Sequence, residues 1–359
     1  MFEQEEQRDE LLEKIEDLIS RKRYAELRDL LLPLEAQDIA GLFMELDDKV
    51  PMVFRLLPKE QAAEVFVELD SEEQEVLIQS FSNTELKEVL DELYLDDAVD
   101  IVEEMPANVV KRILRHADPD VRKSINEILK YPDDCAGSIM TTEYVDLKAT
   151  MTVEDALKRI RRTGPDKETI NICYVIDEGR HLLGYLSIRT ILLSEEDDVV
   201  GDIMDTHVIS ANTLDDQEDV ADLFNRYDLL SVPVVDQENR LVGIVTVDDA
   251  VDVMEDEATE DIEKMAAIIP TERPYFKTGV FETWKSRIPW LMLLMVSATF
   301  TGIIINNFET ALAACVALTG FIPMLMDTGG NCGSQSSTLI IRGLALDEIK
   351  LSDVFRVLF

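Results

Sequence analysis

A run of 21 residues without a charge, Ile288 to Phe308, constrains this chain more than any other feature. A helix rising about 1.5 Å per residue needs roughly 20 apolar residues to cross a bilayer core of about 30 Å. Trp284 and Trp290 lie where aromatic residues are enriched at membrane interfaces. The run therefore predicts a transmembrane helix, and the rest of the chain has to be organised on its two sides.

A second long apolar run extends from residue 311 to about residue 341. Basic residues flank the pair of runs, and the short loop between them contains Glu309 but no base. Because Lys and Arg concentrate on the cytoplasmic side of membrane helices, we expect a hairpin with both ends in the cytosol and Glu309 outside. The expected spans are about 288–308 and 311–341. The bases are Lys285 and Arg287 before the first run, and Arg342 and Lys350 after the second.

The second run contains polar residues at bilayer depth, where they are costly unless they face protein or a water-filled path. Asp327, Asn331 and Gln335 recur every four residues and therefore share one helix face. We expect an ion pathway along this face, with Gly329 and Gly330 as further pore-lining candidates. The alternative is close helix packing through small residues, because Gly329, Gly333 and Ser337 have the same spacing.

The charge of the chain is concentrated before the membrane runs. The formal net charge is -40, yet residues 281–359 hold six acids and five bases, so the first 280 residues carry about -39. Such a body excludes nucleic acid, whose phosphates need clustered Lys and Arg, and it favours a cationic ligand or partner. The four cysteines and three histidines form no zinc or disulfide motif, and no P-loop or catalytic triad is present. We therefore expect no enzyme.

Residues 1–132 predict a stack of short helices. Apolar residues recur at spacings of three and four, and Leu-Pro or Met-Pro pairs separate the segments. We expect caps at Ser71, Asn83 and Asp96, and a superhelical, all-α, acidic domain.

The next segment contains an internal duplication. The sequence from Gly137 is repeated from Gly201, 64 residues later, and the sequence from Ile172 is repeated at an offset of 59. Each copy predicts the order strand, helix, strand, turn, strand, helix, with Thr152 and Asp216 opening the first helices. We place the two α/β copies at residues 133–200 and 201–254.

The repeated residues resemble a tandem pair of CBS domains. The resemblance rests on Ser231-Val-Pro-Val-Val-Asp236 and Gly243-Ile-Val-Thr-Val-Asp-Asp249. Such pairs often bind adenine nucleotides, so the resemblance implies a possible ATP site with Asp249 and Arg189. The first copy has Thr190 where the second has Asp249, which removes the expected acid from one of the two sites. A structural pair that senses another ligand is the alternative.

A helix rich in acids is expected after the CBS pair. Along this helix one face carries six acids, and the other carries Met254, Ala258, Ile262, Met265 and Ile269, up to about residue 270. We place a connecting, plug-like helix at 255–280 and the transmembrane region at 281–359. This segment is either a simple linker or a mechanical coupler.

The whole arrangement resembles the MgtE family of magnesium transporters. The residues that carry the resemblance are Leu95-Asp-Asp-Ala-Val-Asp100, Glu257-Ala-Thr-Glu-Asp261 and Thr328-Gly-Gly-Asn-Cys-Gly-Ser-Gln-Ser336. The implied fold is multidomain: an all-α superhelical domain, an α/β CBS pair, an acidic connecting helix and an α-helical transmembrane hairpin. Family members cross the membrane five times per subunit, so we expect at least about 60 residues of further helix beyond this chain.

The resemblance implies a homodimeric Mg2+ channel, associated through its CBS and membrane domains and located in the plasma membrane as a multi-pass protein. Its N-terminal and CBS domains lie in the cytoplasm and sense Mg2+ to close the pore. Carboxylates suit this hard cation, which keeps several of its waters. The alternative is a membrane-tethered CBS regulatory module, or a fragment, that conducts nothing. The implied sensor acids are Glu64, Asp96, Asp100, Asp216, Glu218, Asp228, Asp249, Asp252, Glu257, Glu260 and Asp261.

Overall fold

The computed structural model describes residues 2–270, 278–345 and 349–358. The chain divides into two compact units, Met1–Ala250 and Val251–Phe359. The predicted connecting segment, 255–280, includes residues 271–277, which lie outside the described residues, as do 346–348 within the predicted membrane region.

Short helices fill the N-terminal part of the first unit, in agreement with the sequence prediction. They are α1 (Phe2–Ser20), α2 (Tyr24–Leu31), α3 (Ala36–Phe43), α4 (Val50–Phe54), α5 (Lys59–Val67), α6 (Ser71–Ser80), α7 (Asn83–Leu90), α8 (Leu95–Glu104), α9 (Ala107–His116) and α10 (Pro119–Ile128).

Helices that are next-but-one neighbours in sequence pack together, as α3 packs on α5, α5 on α7 and α7 on α9. This order gives a superhelical stack rather than isolated hairpins. At its centre the rings of Phe54, Phe66 and Phe81 lie 5.3–6.3 Å apart. Arg112 of α9 crosses to the end of α6, where its guanidinium donates to the carbonyls of Ile78 and Phe81. One apolar core therefore runs from Ile15 to Ile128.

The expected caps are displaced by one or two residues. Ser82, not Asn83, caps α7: its hydroxyl accepts from Glu85 N while the Glu85 carboxylate accepts from Ser82 N. Asp70 and Tyr94 occupy the N-cap positions of α6 and α8 without a side-chain cap bond. Such small shifts arise because the N-cap residue has extended backbone angles. Any of several adjacent polar residues in a turn can occupy this position.

Each of the two copies has the predicted element order. The first contains β1 (Val145–Leu147), α11 (Val153–Thr163), β2 (Ile172–Ile176), β3 (Leu182–Ser187) and α12 (Ile188–Leu193), followed by α13 (Val200–Ile203). The second contains β4 (Ala211–Asn212), α14 (Gln217–Tyr227), β5 (Ser231–Val235), β6 (Leu241–Thr246) and α15 (Val247–Met265). In each sheet the first strand pairs parallel with the second, which pairs antiparallel with the third.

The copies are joined by exchanged connecting segments. Thr141, which precedes β1, forms a bridge with Ile244 of β6, and Asp205, which precedes β4, forms one with Tyr185 of β3. Gly243 and Gly184 allow these approaches, because a Cβ there would lie 2.7 Å from the Thr141 carbonyl oxygen and 2.6 Å from that of Asp205. The duplication thus forms one interlocked pair.

Helix α15 differs from the predicted connecting helix at both ends. It begins at Val247, as the last helix of the second copy, and continues without a break to Met265. Ala267 has a φ of 57°, so Ile269 falls outside the helix that was expected to include it.

The remaining described helices of the second unit are α16 (Val280–Asn307), α17 (Glu309–Ala314), α18 (Phe321–Ala345) and α19 (Val354–Leu358). Among the described residues, α16 alone is long and apolar enough to cross a membrane. The second predicted span, 311–341, is not one helix, because α17 and a 3₁₀ turn at Val316–Gly320 precede α18. Helix α18 contains the polar face of the expected ion pathway.

Candidate functional site

Helix α8 carries three aspartate carboxylates, two of them in its first turn. It buries Leu95, Val99 and Val102 in the core, and this orientation places Asp96 and Asp97 in its first turn. Acids are favoured there because the first N–H groups of a helix carry partial positive charge. The Asp96 residue is only 8% exposed, and its Oδ1 accepts from Asp97 N at 3.1 Å. Asp100 follows one turn later and is exposed.

Two further segments of the first unit meet this end of α8. Leu95 N donates to Glu143 Oε2 at 3.3 Å, and Glu168 N donates to the carbonyl of Glu143 at 3.0 Å. The first turn of α15 supplies Asp248 and Asp249, and the half-buried Asp249 accepts from Thr246 Oγ1 at 2.7 Å. We call this group the acidic cluster. Its members are Asp96, Asp97, Asp100, Glu143, Glu168, Asp248 and Asp249.

The pKa values of the acidic cluster show the mutual influence of its members. Burial, followed by the charge of Asp97, raises the pKa of Asp96 to about 7, and burial followed by Asp249 raises that of Asp97 to about 7. The pKa of Asp249 rises to about 7 for the same two reasons, with Asp96 as the main neighbouring charge. The pKa of Asp100 is raised, first by the loss of surrounding water and then by the negative charge of Asp249.

Glu168 has the largest rise in pKa within the acidic cluster. Burial and then the charges of Asp96 and Asp248 raise its pKa to about 9. Its Oε2 is buried and accepts no hydrogen bond from any residue that the structure describes. A buried carboxylate oxygen without a donor or a cation is unfavourable. The acidic cluster therefore has an electrostatic demand for positive charge.

The spacing of these acids limits how a cation can be held. Across residues 2–270, 278–345 and 349–358, no three His, Cys, Asp or Glu side chains lie close enough to ligate one ion directly. An all-protein cage for zinc or calcium is therefore not formed by this part of the chain. Mg2+ keeps several waters and is bound through one or two carboxylates, so separated acids facing one another fit it well.

The structure brings together three of the predicted sensor acids, Asp96, Asp100 and Asp249. Glu64 lies on the exposed side of α5, and Asp252 is exposed one turn further along α15. Asp216 caps α14, where its carboxylate accepts from Glu218 N at 3.0 Å, and Asp228 ends the same helix in a left-handed conformation.

Four members of the acidic cluster were not foreseen from the sequence. Asp97 and Asp248 are direct neighbours of predicted residues, so the paired acids at two helix starts were an available signal. Glu143 and Glu168 lie in connecting segments of the first CBS-like copy and have no motif of their own. Only the packing of that copy against α8 brings them to the site.

In the second unit, two predicted acids of α15 already have cationic partners. Glu260 pairs with Lys264 at 2.5 Å, and Asp261 pairs with Arg342 of α18 at 3.6 Å. Glu257, between these and the CBS-like pair, is half-buried.

The polar face of α18 has the expected register. Asn331 Nδ2 donates to Asp327 Oδ2 at 3.4 Å, one turn apart, which confirms that the two side chains are adjacent. A Cβ added at Gly329 or Gly330 would meet no described atom within 4 Å, so this surface is open. Gln335 is exposed in the following turn.

The proposed nucleotide residues lie near the starts of the helices that follow the third strand of each copy. Ser187 Oγ accepts from Thr190 N at the start of α12, and Thr246 Oγ1 donates to Asp249 at the start of α15. Arg189 is exposed on α12 and forms no ion pair with the residues that the structure describes. Asp249 belongs to both this motif and the acidic cluster.

Comparison with known families covers most of the chain. Residues 34–134 match the family described as "MgtE intracellular N domain". Residues 136–196 and 200–256 each match "CBS domain", and residues 322–359 match "Divalent cation transporter".

Two curated relatives are named magnesium transporter MgtE. That of Thermus thermophilus is 40% identical over 92% of this chain and 74% of its own length. That of Bacillus subtilis is 36% identical over 98% of this chain and 78% of its own length.

Two solved structures resemble the soluble part, each with a TM-score of 0.64. One is the cytosolic domain of the Mg2+ channel MgtE in complex with ATP, 39% identical, covering 67% of this chain and 99% of that one. The other is the soluble part of a magnesium transporter, 32% identical, covering 70% of this chain and 99% of that one.

Proposed function

The chain belongs to the MgtE family of magnesium transporters, and we propose that it is a Mg2+ channel subunit that mediates magnesium uptake and is closed by cytosolic Mg2+. The family is a transporter family and not an enzyme class. The acidic body lies in the cytosol, and the apolar helices lie in the membrane.

The acidic cluster is the observation that carries the gating proposal. Asp96 and Asp97 belong to the helical domain, whereas Glu168 and Asp249 belong to the two CBS copies. Without a cation, carboxylates in a poorly hydrated site repel one another and favour separation of the domains. Mg2+ binds the assembled arrangement better than the separated one, so rising Mg2+ shifts the population toward it.

Helix α15 supplies the connection to the membrane part. Its first turn carries Asp248 and Asp249 of the acidic cluster, and the same uninterrupted helix carries Glu257, Glu260 and Asp261. A continuous helix transmits a displacement of one end to the other. Assembly of the acidic cluster therefore changes the position of the membrane helices, and this change closes the ion path.

Helix α18 supplies that path in the proposal. The adjacent Asp327 and Asn331 present oxygen atoms on a surface that the nearby glycines leave open. Oxygen ligands at bilayer depth suit a hydrated divalent cation. Gly329, Gly330 and Gln335 complete the proposed lining.

We further propose that the chain forms a homodimer through its CBS and membrane parts. Leu192 and Leu193 of α12 are 63% and 77% exposed, and Leu214 before α14 is 61% exposed. Large exposed apolar residues on an otherwise acidic body favour burial against a second copy.

ATP is the proposed nucleotide ligand of the CBS pair. The related cytosolic domain that is 39% identical was solved in complex with ATP. In this chain Asp249 and the exposed Arg189 are positioned at the corresponding helix starts of the two copies. ATP binding here is tested by equilibrium dialysis with radiolabelled ATP, with Arg189→Ala expected to weaken it.

The gating proposal is tested on the full chain in lipid nanodiscs. We expect millimolar Mg2+ to slow proteolysis of the acidic body, whereas KCl of equal ionic strength has little effect. A variant with Asp96, Asp249 and Glu257 changed to the corresponding amides should lose this protection. A control with the exposed acids Glu13, Glu72 and Asp222 changed in the same way has the same net charge and should keep it.

The two salts separate the possible outcomes. Equal protection by Mg2+ and KCl would mean general charge screening and would overturn the proposed sensor. Uptake is measured separately, as entry of Mg2+ into proteoliposomes containing a Mg2+-sensitive dye.

A further inference from the structure

One ion pair joins α15 to the end of α18 within the second unit. Arg342 Nη1 lies 3.6 Å from Asp261 Oδ2, and the side chain of Asp261 is only 19% exposed. Arg342 is in the last turn of α18, and Asp261 is in the second-to-last turn of α15. The contact therefore links the connecting helix to the helix that carries the proposed ion path.

The charges around Asp261 favour this partner. The neighbouring Glu260 is already paired with Lys264 of its own helix at 2.5 Å, so Lys264 neutralises Glu260. Arg342 comes from a different helix and is the cationic partner of Asp261. A carboxylate held by a guanidinium has lost part of its attraction for a divalent cation.

A second contact fixes the same end of the connecting segment. Ile269 N donates to the carbonyl of Ser286 at 3.1 Å, and Ser286 is buried in the first turns of α16. The segment from Asp261 to Ile269 is thus attached to both α16 and α18. These contacts lie near the N-terminal end of α16 and at the C-terminal end of α18.

We propose that the Asp261–Arg342 pair is a positioning contact that holds the cytosolic end of α18 to the connecting helix. Arg342 is the cationic partner of the Asp261 carboxylate in this arrangement. Residue 342 is 15 residues from Asp327 along one helix, or about 22 Å at 1.5 Å per residue. A shift of α15 therefore moves the polar face of α18 through this pair.

This inference rests on the proposed function, because it assigns the coupling element of the same Mg2+-dependent closure. Mg2+ has to compete with Arg342 for Asp261, whereas the acidic cluster keeps the proposed Mg2+-sensing role.

Hydrogen–deuterium exchange of the full chain in nanodiscs tests the pair without requiring conduction. Asp261→Asn should speed exchange of residues 338–345, and Arg342→Gln should speed exchange around residues 258–265. We expect about twofold to fivefold in each case, the range that corresponds to a partly exposed ion pair. The double variant should match either single variant, because both remove the same interaction.

Three further variants separate positioning from general destabilisation. Arg342→Lys keeps the positive charge and should restore most of the protection. Exchanging the charges, with Asp261→Arg and Arg342→Asp together, should do the same. Arg287→Gln removes an exposed base of α16 that has no ion pair among the described residues, and it should leave both segments unchanged.

The Mg2+ titration gives the second readout. In Asp261→Asn, the Mg2+ concentration that half-protects residues 338–345 should rise, while protection of the acidic cluster keeps its wild-type midpoint. Unchanged exchange in both single variants, or additive effects in the double variant, would overturn the pair. A wild-type chain that responds equally to Mg2+ and KCl would instead overturn the proposed function.

Discussion

Glu168 illustrates how strongly one side chain can depend on its surroundings. Its Oε2 is buried without a donor in the described part of the chain, and Asp96 and Asp248 are the neighbouring charges that most raise its pKa. No pattern around residue 168 predicts this environment, because the site forms only where α8 packs against the first CBS copy. By contrast, Asp96 and Asp249 were predicted from local motifs and do meet.

Glu168→Gln should therefore raise the stability of the Mg2+-free chain and reduce the further stabilisation that Mg2+ provides. In the absence of Mg2+ the raised pKa means that folding forces this carboxyl to take up a proton, and the amide avoids that cost, so we expect the free energy of unfolding to rise by about 1 kcal/mol. In Mg2+ the gain in stability should be smaller than in the unaltered chain, since one carboxylate of the acidic cluster is missing. Chemical denaturation with and without millimolar Mg2+ measures both quantities.

The matched control is Glu178→Gln, an exposed acid of the same CBS copy. It should change neither quantity by more than about 0.5 kcal/mol. Equal behaviour of the two variants would show that Glu168 is an ordinary surface acid.

Glu85 is the opposite case, a carboxylate stabilised by its surroundings. A hydrogen bond from Arg55 and then one from Ser82 N lower its pKa to about 2. A lowered pKa in the folded state stabilises the fold above the unfolded value of about 4.5, and this contribution disappears as the pH falls toward 2.

Glu85→Gln should destabilise the helical domain at pH 7 by up to about 1 kcal/mol, because the amide can still accept from Ser82 N but loses the negative charge beside Arg55. The difference from the unaltered chain should shrink between about pH 4.5 and pH 2, because the wild-type carboxylate becomes protonated there. Thermal unfolding across this range measures it, with Glu92→Gln as an exposed control. A difference independent of pH would contradict the assigned ion pair and cap.

At the scale of elements, the sequence predicts the type and order of segments better than their ends. The duplicated order of β1 to α12 and β4 to α15 follows from the repeat, because each copy must bury the same apolar positions. The connecting helix was expected from residue 255, yet α15 starts at Val247. The acids of its first turn belong to both the CBS copy and the connector, so composition gives no boundary there.

The exchanged connecting segments make a prediction about Gly243. A Cβ at this position would lie 2.7 Å from the carbonyl oxygen of Thr141, which is backbone and cannot turn away. Gly243→Ala should therefore lower the free energy of unfolding by about 1–3 kcal/mol. Circular dichroism of the full chain during thermal unfolding measures this loss.

Gly41→Ala provides the comparison, since a Cβ there would lie 3.9 Å from the far end of the Arg8 side chain. Gly41 is inside α3, where alanine is favoured by about 1 kcal/mol, so this variant should be neutral or stabilising. A loss of similar size in both variants would show that the Gly243 contact is not limiting.

At the scale of the whole molecule, the division into an acidic body and an apolar part was readable from charge alone. The first 280 residues carry about -39 of the net charge of -40. The family relationship follows from the same architecture and from identities of 36–40% over most of the chain. What the sequence leaves open is which exposed apolar residues face a second copy, because an amphipathic helix looks the same whether its partner is its own domain or another subunit.

Leu193 distinguishes these possibilities. It is 77% exposed at the end of α12, beside Leu192 at 63%, so the chain's own fold does not bury it. If the CBS parts of two copies pack through this surface, Leu193→Glu places a charge in an apolar contact between two strongly acidic bodies. Both desolvation and repulsion then oppose association, and we expect the mass of the detergent-solubilised protein, measured by light scattering, to fall toward that of one chain.

Val76→Glu is the control, because Val76 is a comparably exposed apolar residue, at 56%, on α6 of the helical domain. It adds the same charge at a distance in sequence from the CBS copies and should leave the mass unchanged. Since the membrane parts of two copies also associate in the proposal, a partial shift in mass at low protein concentration is the expected form of the Leu193→Glu result. An unaltered mass at every concentration would exclude this surface and leave the membrane helices to hold the dimer.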